Sequence, residues 1–228
     1  MNSIEPVITT RKNVTLLGGG TVCPSLLQET MKKAPCLVAA DGAAAQALEM
    51  GIMPERVIGD FDSLSEAHRA RIPADRLCHV PEQDSTDFEK CLTRIDAPMI
   101  FGVGFTGARI DHELAVYATL TRFAHRRCVI LGAEDVSFMA PPELTLPTTV
   151  GQRVSLFPMA AVQGRSEGLR WPIDGLPFAP DGRIGTSNEA VGPLVHLQFD
   201  QPGMMVILPR AACDADLVSR LIDAPLWA

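Results

Sequence analysis

The sequence predicts an α/β fold: an N-terminal α/β domain on a mainly parallel sheet, followed by a C-terminal all-β sandwich domain. Up to Leu131, short apolar runs of strand length alternate with helix-length stretches, the signature of a parallel sheet covered by helices. Glycine- and aspartate-rich motifs fall directly after several of those runs, where open α/β sheets hold ligands. Near residue 137 the pattern changes: Pro141-Pro142 and Pro147 punctuate the chain, helical periodicity stops, and short β-like pieces follow. The expected domains are therefore residues 1–140 and 141–228. The second is small and should pack on the first or on another subunit.

Val14-Thr15-Leu16-Leu17 reads as the first strand, stopping at Gly18-Gly19-Gly20. Pro24 to Lys33 reads as a helix, with proline near its start and Leu26, Leu27 and Met31 on one face. Cys36 to Ala40 is a second buried strand ending at Asp41-Gly42. Ala43 to Met50 is a strong helix former closed by Gly51. Val57-Ile58 is the third strand, Ser65 to Arg71 a helix, Leu77 to Val80 the fourth strand and Thr86 to Arg94 a helix. Met99 to Val103 is the fifth strand, Asp111 to Ala124 a helix and Cys128 to Leu131 the sixth strand. The later β pieces are Arg153 to Phe157, Gly168 to Trp171, Leu194 to Phe199 and Met204 to Leu208.

With 228 residues, 46% of them hydrophobic, the chain can bury a large core. A charged fraction of 21% argues against disorder. The net charge of −7 argues against a nucleic-acid partner, which normally needs a basic face. It leaves room for a small anionic substrate, because a bound cation reverses the local sign. Six cysteines stand far apart with no CxxC pair, which fits reduced, mostly buried thiols rather than a zinc site. Met1 to Asn13 has no apolar core, so no signal peptide is expected. No apolar run reaches the length of a membrane span. The expected location is the cytoplasm.

The stretch Gly59-Asp60-Phe61-Asp62-Ser63 sets two carboxylates two residues apart just past an apolar pair. If Val57-Ile58 ends a strand, Asp60 and Asp62 leave its tip on the same side. Two adjacent carboxylates repel unless a cation or donor sits between them, and Mg²⁺ with its phosphate is the natural partner. Gln83-Asp84-Ser85-Thr86-Asp87 follows the fourth strand. Asp84 or Ser85 could be an N-cap with Asp87 in the first turn, or Asp87 could be a third metal ligand. In Gly104-Phe105-Thr106-Gly107-Ala108-Arg109-Ile110-Asp111-His112, the glycines allow close approach to a phosphate and Arg109 supplies a donor fork. Asp111 could orient Arg109 or a reacting hydroxyl, and His112 could contact phosphate or cap a helix. The same stretch could equally be a salt-bridged loop. Asp41-Gly42-Ala43 could be a turn and cap or a nucleotide contact. Gly18-Gly19-Gly20 is neither a dinucleotide fingerprint nor a P-loop. Trp171 and Met204-Met205 read as packing, Ser187-Asn188 as turn chemistry. His68, His79, His125 and His196 show no metal-ligand spacing.

Taken in order, Ala40-Asp41-Gly42-Ala43, Pro54, Gly59 to Ser63, Gln83 to Asp87 and Gly107 to His112 resemble the thiamine pyrophosphokinase family. Gly168-Leu169-Arg170-Trp171 and Thr186-Ser187-Asn188-Glu189 resemble its C-terminal domain. The resemblance runs from about residue 14 to 208. It departs where Ala43 and Ala108 stand, since the family often has a second glycine there. It implies an Mg²⁺-dependent ATP:thiamine diphosphotransferase that forms thiamine diphosphate and AMP, in a homodimer with active sites at the subunit interface. Asp60, Asp62 and Asp87 match its metal and phosphate carboxylates, and Arg109 and Asp111 positions near nucleotide and phosphate. Among substrate-contact positions, Gln83 falls near the thiamine pyrimidine. Asp41, Gly42, Ser63 and Thr86 join it, as do Gly107 and His112. Ser187 and Asn188 match a segment reaching the partner's site.

An alcohol is a weak nucleophile that a carboxylate could deprotonate, and Asp62, Asp87 and Asp111 are all candidates. The rivals are a pterin-alcohol pyrophosphokinase, a nucleotide-binding sensor without turnover and a metal-dependent phosphohydrolase.

Overall fold

The run from Val14 to Leu17 has one polar side chain, and Thr15 Oγ1 satisfies itself by donating to Ala34 O at 2.6 Å. The run can therefore be buried along its whole length, as a central parallel strand must be. The computed structural model describes residues 5–227, so the head of the Met1–Asn13 stretch lies outside the described residues. The chain divides between Thr119 and Leu120 into two compact units.

The first unit runs β1 (Ile8–Thr9), β2 (Val14–Leu17), α1 (Pro24–Lys33), β3 (Cys36–Ala40), α2 (Ala43–Glu49), β4 (Arg56–Gly59) and α3 (Glu66–Arg69). It continues with β5 (Leu77–His79), α4 (Asp87–Leu92), β6 (Ile95–Asp96) and β7 (Ile100–Val103), and the division falls in the last turn of α5 (Ile110–Arg122). Parallel pairing sets the order β7-β2-β3-β4-β5. The chain steps outward from β2 to β5, then returns to the other side of β2 as β7. Strand order thus reverses beside β2, the place where open α/β sheets form a crevice at their carboxyl ends. β1 and β6 pair with each other over two residues each, too short a length for periodicity to reveal.

Local chemistry sets the helix ends. Pro24 stands in the first turn of α1, whose buried face is Leu27 and Thr30, with Leu26 and Met31 half-buried beside it. Ser65 caps α3 by accepting His68 N–H at 3.3 Å, and the helix stops at Arg69 rather than at the expected Arg71. Thr86, rather than Asp84 or Ser85, caps α4, its Oγ1 accepting Glu89 N–H at 3.3 Å.

The second unit is mostly antiparallel. Its strands are β8 (Cys128–Leu131), β9 (Asp135–Met139), β10 (Glu143–Pro147), β11 (Arg153–Pro158), β12 (Gly164–Glu167), β13 (Gly185–Glu189), β14 (Leu194–Phe199) and β15 (Met204–Pro209). One set is ordered β13-β11-β15-β9-β8 and the other β10-β14-β12. Along β14, Val195, Leu197 and Phe199 are buried and their neighbours exposed, the period of a strand with one face on a core.

Three expectations change here. The unit is not wholly β: α6 (Ala215–Asp223) ends it, capped by Asp214, with Leu217, Val218 and Leu221 buried at helical spacing. Gly168 to Trp171 is a loop, and the strand is the preceding Gly164–Glu167. Gly168 has φ +82, a left-handed turn that ends the pairing with β14, and beyond it Leu169 makes only an isolated bridge to Ala190. Trp171 is 54% exposed rather than core, with the Arg170 guanidinium 5.0 Å from its ring centre. Met204 and Met205 are buried as expected, and so are Cys36, Cys91, Cys128 and Cys213.

Candidate active site

Beyond the carboxyl ends of its parallel strands, the first unit holds a cleft of about 660 Å³. Glycine builds one wall. Gly18 N–H donates to Val103 O and Gly20 N–H to Gly104 O, and a Cβ on Gly18 would stand 2.6 Å from Gly104 O. The turns after β2 and β7 lie against each other only because neither carries a side chain there. Gln46 from α2 braces this wall, donating Nε2 to Gly20 O at 3.2 Å.

The opposite wall is acidic and is organised by Asp41, which is 1% exposed just after β3. Asp41 Oδ1 accepts Phe61 N–H at 2.8 Å and Oδ2 accepts Ser63 N–H at 3.2 Å. A Cβ on Gly59 would sit 2.6 Å from Asp41 Cβ, so β4 ends in glycine to let the carboxylate reach the next loop. Carboxylate oxygens of Asp41, Asp60 and Asp62 lie within 4.8 Å of one another. Asp60 and Asp62 do converge, but not through the strand pleat. β4 stops at Gly59, and a loop pinned by Asp41 brings them together.

Asp87 stands outside that group of three. Its Oδ1 receives Lys90 Nζ at 3.3 Å, and the same ammonium donates to Asp60 Oδ2 at 2.9 Å. Lys90 is only 2% exposed, and sequence reasoning passed over it. The signal was present: Asp87 and Lys90 are three apart on one helix, so both face the same way. The Lys90 hydrogen bond, aided by Asp62 N–H and Gln83, pulls the Asp60 carboxyl down to about 2. Burial raises the pKa of Asp87 against the opposing pull of Lys90, with Asp41 and Asp60 adding to the rise. Burial alone would lower the pKa of Lys90, but its hydrogen bonds and the two carboxylate charges overcome that and raise it.

Most of the expected residues meet in this cleft. Asp41, Gly42, Asp60, Asp62 and Ser63 line it from two loops, and Gln83, Thr86 and Asp87 from a third. Arg109 and His112 line it from the start of α5. Gln83 Nε2 donates to Asp60 Oδ2 at 2.9 Å, so in this state it serves the acidic cluster. Asp111 does not line the cleft; it takes Arg109 Nε at 3.1 Å and Nη2 at 2.6 Å and orients that side chain. Gly107 lies beside the cleft with φ +77, its N–H donating to Glu113 Oε2 at 3.0 Å. Ser187 and Asn188 belong to the second unit, on β13. Ser187 N–H donates to Ser155 Oγ at 3.0 Å. Asn188 is buried and clamps the Trp171 backbone, accepting its N–H at 3.2 Å and donating to its carbonyl at 2.7 Å.

A crevice at the switch point of a parallel sheet, walled by apposed glycine turns and by carboxylates around one buried lysine, marks an α/β protein of the class whose ligand sites lie beyond the strand ends. The particular family follows from comparison with known proteins. Residues 27–131 match the model of the thiamin pyrophosphokinase catalytic domain, and residues 143–204 that of the thiamin pyrophosphokinase vitamin B1 binding domain. The chain belongs to the thiamin pyrophosphokinase family.

Thiamine pyrophosphokinase 1 of Oryza sativa subsp. japonica is 28% identical over 172 residues, 67% of this chain. The aligned part spans 65% of that relative's length. Thiamin pyrophosphokinase 1 of Caenorhabditis elegans is 24% identical over 206 residues, covering 81% of this chain and 84% of its own. The crystal structure of thiamin pyrophosphokinase from Geobacillus thermodenitrificans shares the fold, with a TM-score of 0.72 at 24% identity over 90% of this chain and 99% of that one. Among the described residues no helix is long and apolar enough to cross a membrane.

Proposed function

We propose that the protein is an ATP:thiamine diphosphotransferase, moving the β,γ-diphosphate of ATP to the thiamine hydroxyl and releasing AMP. The observation that carries this reading is the Asp41–Asp60–Asp62 group beside Lys90, in a cleft within the stretch that matches the family's catalytic domain. Residues 1–140 then form the ATP- and Mg²⁺-binding domain and residues 141–228 the thiamine-binding and dimerisation domain. The matched stretches, ending at 131 and beginning at 143, support that division. The working state is a cytoplasmic homodimer, to which Ser187 and Asn188 bring the thiamine-contact segment. Four buried cysteines suit a reducing compartment.

The donor set fits Mg²⁺: it is all carboxylate oxygen, it is clustered, and Asp60 is held ionised. Asp60 and Asp62 would hold the ion, with Asp41 behind them, and the ion supplies charge neutralisation on the phosphate oxygens. The chain's own residues do the positioning on which diphosphoryl transfer depends. The glycine turns admit phosphate close to backbone, and Arg109, oriented by Asp111, presents its guanidinium fork at the cleft. Asp87 is the best-placed proton acceptor for the thiamine hydroxyl, because it lines the cleft without the cation role given to Asp62, whereas Asp111 stands outside the cleft with both oxygens on Arg109. Asp87→Asn is accordingly expected to lower kcat by about a hundredfold, and Asp111→Asn chiefly to raise KM for ATP. Steady-state kinetics on both variants check this, and an unchanged kcat in Asp87→Asn would reject it as the acceptor.

The activity itself is tested with purified protein, ATP, Mg²⁺ and thiamine. AMP and thiamine diphosphate should appear in step. AMP formed only with a pterin alcohol, phosphate released without an acceptor, or binding without turnover would each replace this reading with one of its rivals.

A further inference from the structure

We propose that Phe61, gripped by Arg69 and His79, is the positioning residue that sets the spread of the Asp60 and Asp62 carboxylates. The proposal rests on the reading of those two residues as cation ligands. Phe61 stands between them in sequence with φ +67, in the left-handed region. That conformation is an outlier for a bulky side chain and persists only where the surroundings over-determine it. Glycine would adopt it freely, yet the position carries a large ring that is 7% exposed.

The ring is held from outside the cleft. His79, at the end of β5, stacks on it with ring centres 5.5 Å apart and planes at 27°. Arg69, the last residue of α3, sets its guanidinium carbon 5.0 Å from the ring centre. The backbone of Phe61 is held from inside, by Asp41 Oδ1 at 2.8 Å. Anchored at both ends, the residue reverses the chain between the two aspartates, and Asp62 N–H comes to donate to Asp60 Oδ1 at 3.2 Å. Neither Arg69 nor His79 lines the cleft, so what they contribute to the carboxylates passes through Phe61.

The test uses Mn²⁺ titrated into the nucleotide-free full chain and followed by electron paramagnetic resonance. The unaltered protein should bind Mn²⁺ in a manner abolished by Asp62→Asn. Phe61→Gly keeps the backbone conformation and removes the anchor. It should weaken Mn²⁺ by about tenfold, the scale of losing a residue that orients a metal ligand, and raise the Mg²⁺ needed for half-maximal turnover in parallel. Arg69→Met keeps the aliphatic stem, loses the cation–π contact and should shift both in the same direction by about threefold.

A merely structural ring would lower the melting temperature but leave Mn²⁺ affinity unchanged well below the transition, and that result would overturn the proposal. If Phe61→Gly does not fold, Arg69→Met and Phe61→Leu decide on the same readout. Unaltered protein without Asp62-dependent Mn²⁺ binding would remove the cation-ligand reading and this proposal with it. Normal binding unmoved by the variants would remove this proposal alone.

Discussion

Asp62→Asn is expected to cut turnover by about a hundredfold to a thousandfold while leaving the fold intact, as removal of a preorganised electrostatic group does. Asp62 is the cleanest member of the acidic cluster to change. It is exposed, and its side chain accepts from Ser63 Oγ at 2.9 Å. Asparagine keeps that acceptor and the size, and removes only the charge. Asp60→Asn should lose as much activity, but it also unpairs Lys90 and so mixes a stability cost into the result. Initial rates against Mg²⁺ concentration, with thermal melts on the same preparations, separate the two. Near-normal rates in both variants would take the pair out of the cation site.

Lys90→Met should destabilise the first unit by roughly 2 kcal/mol, because an almost fully buried ammonium between two carboxylates is replaced by an apolar chain. The figure sits below the usual cost of breaking a buried pair because Asp87 is 43% exposed and can be rescued by water. The melting temperature should fall by about 5 °C. The acid side should change as well. A carboxyl drawn down to about 2 contributes stability that is present above its unfolded value and is lost as pH falls through the folded one. In chelator-treated protein that loss, between roughly pH 4 and 2, should be clear in the unaltered chain and shallow in Lys90→Met. Added Mg²⁺ should restore part of the variant's stability by replacing the missing charge. An unchanged melt would mean the lysine is not what holds Asp60 and Asp87 together.

Much of this was legible in the linear chain. β2, β3 and β7 declare themselves because both of their faces are buried, so each is an apolar run. β9 and β13 were missed because Asp135 and Ser137 interrupt the first, and Gly185-Thr186-Ser187-Asn188-Glu189 has no apolar member at all. Those strands owe their state to the neighbours they pair with, a tertiary cause that propensity does not register. α6 carries a local signal: Asp214 followed by Leu217, Val218 and Leu221 is a cap and an apolar stripe.

The gathering of carboxylates, glycines and Arg109 beyond the ends of parallel strands is written in the linear chain, because composition and spacing are local and the sheet brings strand ends to one edge. How they act depends on contacts between residues far apart in the chain, which exist only after folding. Asp41 reaches 20 and 22 residues along the chain to pin the loop, and Lys90 reaches 30 residues back to Asp60. Arg69 and His79 close on Phe61 from two different elements. A spacing pattern carries no distance between residues so far apart. Burial, which raises Asp87 and makes one lysine the counter-charge of two acids, exists only once the chain has excluded water from between them.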